Sequence, residues 1–295
     1  LPPIENVSIA GQMTIQNGTI QRHSSLSTCN GYGGRTEFRL FYMLFNGHLN
    51  LDRVTISNGC AKGSSANAQY GGGILLDDGR LDITNSTLSY NTASAGGAIF
   101  SYGDEINITN STLAHNTVLV CCGTAIEVMY SGSVTLNQTT IAQNYGISNY
   151  GHRSVHMSSA SLTMINSIIG SNEMADCFAG GIVTFVGINL VESGKCYNTF
   201  SQLSGDPMLD PAGLQDNGGS TKTIALMAGS PAINSGDNSQ IPAGITNDQR
   251  GTGFARIVDT TVDLGAYEVN DSLQPPFSCD NLIVNFRNVP FSLNR

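Results

Sequence analysis

Between Tyr70 and Asn172 the chain repeats itself. Ile83, Ile108, Leu136 and Met164 hold one position of the unit, at separations of 25, 28 and 28 residues. Leu88, Leu113, Ile141 and Ile169 hold a second position, and Asn91, Asn116, Asn144 and Asn172 a third. Asn85, Asn110, Gln138 and Asn166 hold a fourth, with an amide in every unit. Columns that stay in register over successive units mark a solenoid, in which each unit stacks only on its neighbours.

Each unit consists of short β-branched runs (GGAIF, INI, STLAH) broken by Gly, Asn and Ser, with no apolar stretch at helical spacing. Runs this short bury no face alone. Coiled so that each turn lies on the last at the strand spacing of about 4.8 Å, they build a continuous column of Ile, Leu and Val. The sequence therefore predicts an all-β parallel β-helix. It also predicts an amide ladder along Asn85, Asn110, Gln138 and Asn166, with side chains bonded from rung to rung. Leu51 and Ile56 extend the Ile83 and Leu88 columns towards the N-terminus.

The rungs are expected over residues 1–200, with loop excursions near 22–35 and 59–69. Residues 201–268 stop repeating and become dense in Asp, Gly and Pro, which reads as a cap over the end of the solenoid. Residues 269–295 form a tail, set off by Pro275-Pro276, in which Leu282, Val284 and Phe286 alternate as in a strand. The chain starts without Met, already inside an alternating pattern, and is read as processed or trimmed, with sequence missing upstream.

Charged residues make up 12% of the chain and the formal net charge is −9 with three Lys, which argues against nucleic acid and anionic lipid as partners. No apolar run is long enough to span a membrane. A neutral glycan, or a second copy of the chain in a homopolymer, fits this surface. The cysteines (29, 60, 121, 122, 177, 196 and 279) lack metal-ligand spacing. In an oxidising compartment Cys29 with Cys60 and Cys177 with Cys196 are the expected pairs, each closing a loop beside a rung. The sequons at Asn6, Asn17, Asn85, Asn107, Asn110, Asn137 and Asn270 suggest glycans only in a eukaryotic secreted protein, and the amide column explains Asn85 and Asn110 without them.

The C-terminal order GDP, DNGG, AL..GSPAI..GD, DQRG and D.GAYE resembles the C-terminal segment of bacterial choice-of-anchor Q surface proteins. The upstream GGAI and NSTL..N repeats are similar to right-handed parallel β-helices of the pectate-lyase-like superfamily and to polymorphic outer-membrane-protein repeats. This resemblance implies a secreted or surface-anchored protein, usually without catalytic activity, and a right-handed coil.

Polysaccharide cleavage is the competing reading, because that superfamily hosts lyases and hydrolases. It needs carboxylates, or a base with a cation, converging on one groove. Along the repeats the acids fall in different columns, so no catalytic residue is assigned; Asp77, Asp78, Asp104 and His152 are the first candidates under the enzyme reading. The histidines at 23, 48, 115, 152 and 156 lack paired spacing along one strand, so no metal or cofactor is assigned. The C-terminal acids Asp206, Asp216, Asp237, Asp248, Asp259 and Asp263 read as turn formers and as partners of Arg250 and Arg256 rather than as Ca²⁺ ligands. The chain is expected to be a structural or adhesive β-helix, extracellular or at the cell surface. Leu282, Val284 and Phe286 are the expected connector between copies in a head-to-tail filament.

Overall fold

The computed structural model describes residues 7–23, 29, 38–62, 66–148, 151–173 and 175–270. Strands Val7–Ile9, Phe41–Ser57, Ile74–Thr84, Ile99–Ser101, Gly123–Val128, Arg153–Met157 and Ala175–Ala179 open successive rungs of a parallel β-helix, and the pairings that join them are parallel. Each rung continues onto a second face (for example Glu105–Thr109) and a third (Thr112–Ala114). These three faces form one 17-stranded sheet, while Thr117–Val118 and its neighbours make a separate 4-stranded fourth face. Among the described residues no helix is long and apolar enough to cross a membrane.

The register matches the sequence columns. Ile83 pairs with Ile108, Ile108 with Leu136 and Leu136 with Met164. Leu88, Leu113, Ile141 and Ile169 pair in the same way, and Leu51 and Ile56 lie opposite Ile83 and Leu88. All of these side chains are buried in one continuous core. Alternation at period two sends their neighbours to the outer surface.

Two corners bend each rung, and at both the backbone is left-handed. Asn17, Arg53, Asn85, Asn110, Gln138 and Asn166 turn the second face into the third, with φ between 46° and 55°. Asn58, Tyr90, His115, Gln143 and Ser171 turn the third into the fourth, with φ between 54° and 59°. Asn tolerates this region better than most L-residues, which accounts for the amide column. That column is only partly a ladder. Asn110 Nδ2 donates to Asn85 Oδ1 (2.7 Å) and Asn85 Nδ2 to Asp52 Oδ1 (3.0 Å). Gln138 makes no side-chain hydrogen bond among the described residues, and Asn166 Nδ2 turns to the Asp237 carbonyl (2.9 Å).

The continuous ladder is the neighbouring one. Asn91 Nδ2 donates to Asn116 Oδ1 (3.0 Å), Asn116 Nδ2 to Asn144 Oδ1 (3.0 Å) and Asn144 Nδ2 to Asn172 Oδ1 (3.1 Å). The same oxygens accept the backbone N–H of the preceding rung, so each amide closes a corner and joins two rungs. Disulfides Cys29–Cys60 and Cys177–Cys196 are formed, with Cα–Cα distances of 5.7 and 5.0 Å.

The sequence reading expected the segment after Phe200 to sit over the end of the solenoid; only its start does so, where Leu203 bridges Leu190 of the last rung, and the rest runs back along the third face. Leu209, Leu214, Ile224, Leu226, Leu264 and Tyr267 pack on the outward Ala114, Ala142, Ile168 and Leu190 of successive rungs. Those four outward residues are small or apolar, and without this cover they would face water. Buried polar groups fix the docking. Gln249 Nε2 donates to Thr87 Oγ1 (2.8 Å) and the Ser86 carbonyl (3.1 Å), while its Oε1 accepts from Thr112 (2.6 Å). Arg256, 1% exposed, reaches Asn110 Oδ1 (3.1 Å) and pairs with Glu268 (2.9 Å). Arg250 pairs with Asp248 (2.6 Å) and lies between the Phe254 and Tyr267 rings, 3.9 Å from each centroid. Asp206, Asp216, Asp237 and Asp248 each accept the backbone N–H two residues on, the Asx turn that Asp favours. Leu282, Val284 and Phe286 lie outside the described residues.

Candidate functional site

The flanking segment leaves the third face at Thr87, whose Oγ1 donates to the Lys222 carbonyl (2.6 Å). Beyond that point the flanking segment no longer follows the third face, and among the described residues a groove of about 410 Å³ opens. Its floor is two outward columns, Thr19–Thr55–Thr87 and Gln21–Ser57–Ser89, each in strand register. Asp216 to Lys222 make its wall. That wall is held close by its glycines: a Cβ on Gly219 would lie 2.5 Å from the Arg250 Cα. Asn217 Nδ2 pins the turn on Thr223 (3.0 Å to Oγ1).

Tyr90 closes the groove at one end and also borders a second recess of about 290 Å³ beside Asn58, Thr92 and Thr117. Its left-handed corner throws the ring outward, 49% exposed. The ring stacks on His115 (centroids 4.8 Å, 11° between planes), and His115 stacks on Tyr145 (6.2 Å, 14°). Three rungs thus contribute one row of parallel rings. Burial lowers the His115 pKa from 6.5 and raises that of Tyr90 from 10.0, so these two rings are uncharged near neutral pH. Lys222 and Asp216 balance each other, and the rest of the lining is mostly hydroxyl and amide. Such a surface offers donors and acceptors to hydroxyl groups and an apolar ring face to C–H groups, without selecting for charge.

One charged cluster of the repeats lies elsewhere, on the outer surface of the second face. Asp82 meets His48 (2.7 Å) and Arg80 (2.9 Å), and Arg80 also meets Glu105 (2.7 Å). Asn107 Nδ2 bridges Asp82 Oδ1 (2.9 Å) and Glu105 Oε1 (3.0 Å), holding the carboxylates within about 6 Å, near the separations used by glycosidases. Reading the acids as scattered over columns missed this, because alternate outward columns of one face lie side by side. Partial burial would raise the Asp82 pKa, but bonds from Arg80, Asn107 and His48 outweigh it and lower it, so this carboxyl stays ionised.

Of the first-named catalytic candidates, Asp104 serves the backbone and Asp77 a tyrosine. Asp104 Oδ1 accepts from Gly79 N (2.7 Å) and Asp78 N (3.1 Å) on the adjacent rung. Asp77 takes the Tyr42 hydroxyl (2.7 Å). His152 is fully buried, with Nε2 2.7 Å from the Ser148 carbonyl. It does not join the three aspartates through any hydrogen bond among the described residues.

One constellation went unread. Glu127 and His156 face each other in register on adjacent rungs, and Cys122 turns back onto them, so that three ligand-type atoms lie within 4.8 Å of one another. Spacing along one strand could not reveal it, because in a solenoid neighbours come from successive rungs. No protein-family model, curated protein or solved structure matches the chain.

Proposed function

We propose that this chain is an extracellular, non-catalytic β-helix of adhesive or structural role that binds neutral glycan in the groove beside Tyr90. The observation that carries the reading is Tyr90, the end of the stacked row Tyr90–His115–Tyr145, bordering a charge-balanced floor of Thr, Ser and Gln. A pyranose ring presents an apolar C–H face and a polar rim, and the row and the floor match these two parts. The −9 net charge weighs against polyanionic ligands, and the two disulfides favour an oxidising compartment. The choice-of-anchor Q resemblance of the DQRG and D.GAYE segment supports a cell-surface location. The test is binding to a panel of neutral and acidic polysaccharides. Saturable binding to neutral members, weakened at least tenfold by Tyr90→Ala, supports the reading; binding only to acidic members refutes it.

A second reading, polysaccharide cleavage at the second face, is favoured by the Asp82–Glu105 separation and the flanking Arg80 and His48. Against it, Arg80 ties both carboxylates, and hydrolysis needs one carboxyl held protonated. Assaying reducing ends and unsaturated products on the same panel separates the two. No turnover is expected; turnover abolished by Asp82→Asn would establish the second reading.

A further inference from the structure

The outward column of the first face runs Tyr42, Leu75, Phe100, Glu127, His156, Phe178 across successive rungs. It is aromatic or aliphatic except in the middle. Glu127 is 3% exposed, set between Phe100 on one rung and His156 on the next. Isolated in such surroundings a carboxylate is costly, so its partners define its use. Both its oxygens lie 3.0 Å from His156 Nδ1.

The chain is shaped to bring a thiol to this pair. Cys122 takes a left-handed backbone (φ 76°), a conformation that costs energy for a residue with a side chain. Gly123 follows at a bulge in the register, where a Cβ would lie 1.9 Å from the Ile126 carbonyl oxygen. This tight turn folds Cys122 back over Glu127. The Gly123 N–H holds Glu127 Oε2 (2.8 Å), fixing the carboxylate with both oxygens against His156. His156 is set in turn by stacking on Phe178 (centroids 5.3 Å, 15°).

We propose that Cys122 Sγ, Glu127 and His156 Nδ1 form a binding site for a borderline-soft divalent cation of the zinc type. Three observations meet here. The donors are a thiol that gives up its proton on binding metal, a carboxylate and an imidazole, the set that zinc takes. Their atoms lie within 4.8 Å of one another, so small side-chain movements bring them to bonding distance of one ion. Cys122 and His156 are partly exposed, which leaves an approach from solvent and room for water as a fourth ligand. Cys121 packs instead against the Leu75, Ala95 and Phe100 cluster and is not needed as a ligand.

The test is titration of the full chain, disulfides intact, with Co²⁺, which shares these donors and reports a bound thiolate by a sulfur-to-cobalt charge-transfer band. A Cys121→Ser background removes the adjacent thiol with which Cys122 could oxidise. Saturable uptake of one ion per chain with that band is expected. Cys122→Ser should abolish the band, and Glu127→Gln or His156→Gln should weaken binding at least tenfold. Competition by Zn²⁺ should bleach the band. Absence of the band, or uptake equal in all variants, would overturn the proposal. Should Glu127→Gln fail to fold by circular dichroism, Cys122→Ser decides, since it changes one atom of a partly exposed side chain.

Discussion

Replacing Asn116 by Ala tests whether the asparagine ladder holds the rungs together. Asn116 is fully buried. Its Oδ1 accepts from the Asn91 backbone N–H (3.1 Å) and from Asn91 Nδ2 (3.0 Å), and its Nδ2 donates to the Leu88 carbonyl (2.9 Å). The substitution leaves two Asn91 donors without an acceptor in a place water does not reach. At roughly 1–3 kcal/mol for each of these two groups, the loss should be about 2–6 kcal/mol. Equilibrium unfolding in urea would read it as a lower midpoint at unchanged slope. Gln138→Ala is the control, because that buried amide makes no side-chain hydrogen bond among the described residues. Its cost should be smaller by about 2 kcal/mol. A loss below about 1 kcal/mol for Asn116→Ala, or equal losses for the two, would refute the reasoning. Asn116→Asp adds a pH signature. A carboxyl facing the Leu88 carbonyl and Asn144 Oδ1 has its folded pKa raised, so its proton is kept in the native state. That variant should be most stable at acid pH and lose stability as pH rises above the unfolded value of about 3.9.

Three further outcomes follow. Ile108→Asp puts an unpaired charge in the central column between Ile83 and Leu136 and should cost several kcal/mol, read by thermal melting; a soluble protein with unchanged melting would contradict the register. Burial lowers the His115 pKa below 6.5, so the native state binds fewer protons there; its contribution is present above pH 6.5, falls away as pH drops, and should vanish from the pH profile in His115→Gln. Truncation after Asn270 should leave a soluble rod, and if the tail joins copies head to tail it should remove polymers from negative-stain images; protein that is monomeric with and without the tail refutes the connector role.

The columns were legible because a solenoid writes its core at nearly constant spacing. Ile83, Ile108 and Leu136 needed only to be aligned to give the strand pairing. The amide column was legible as a pattern, but its cause, a left-handed corner, is a backbone property that Asn shares with Gly187 at the equivalent turn. The flanking segment was misplaced because its anchors span distance in sequence: Gln249 bonds Ser86 across 163 residues, and no local pattern encodes that. The ring row and the Cys122–Glu127–His156 cluster were missed for a related reason. Tyr90 and His115 share one corner position, but Tyr145 comes from a different position of the repeat, and the three rings meet only when rungs stack.

The glycan site proposed in the groove beside Tyr90 is open to direct observation. A crystal structure of the full chain with a neutral oligosaccharide drawn from the binding panel tests it most directly. A sugar ring stacked on Tyr90, with its hydroxyls on Thr19, Gln21, Thr55 and the Lys222 turn, is the expected result. Sugar bound instead across Asp82 and Glu105, with the Tyr90 groove empty, would contradict it.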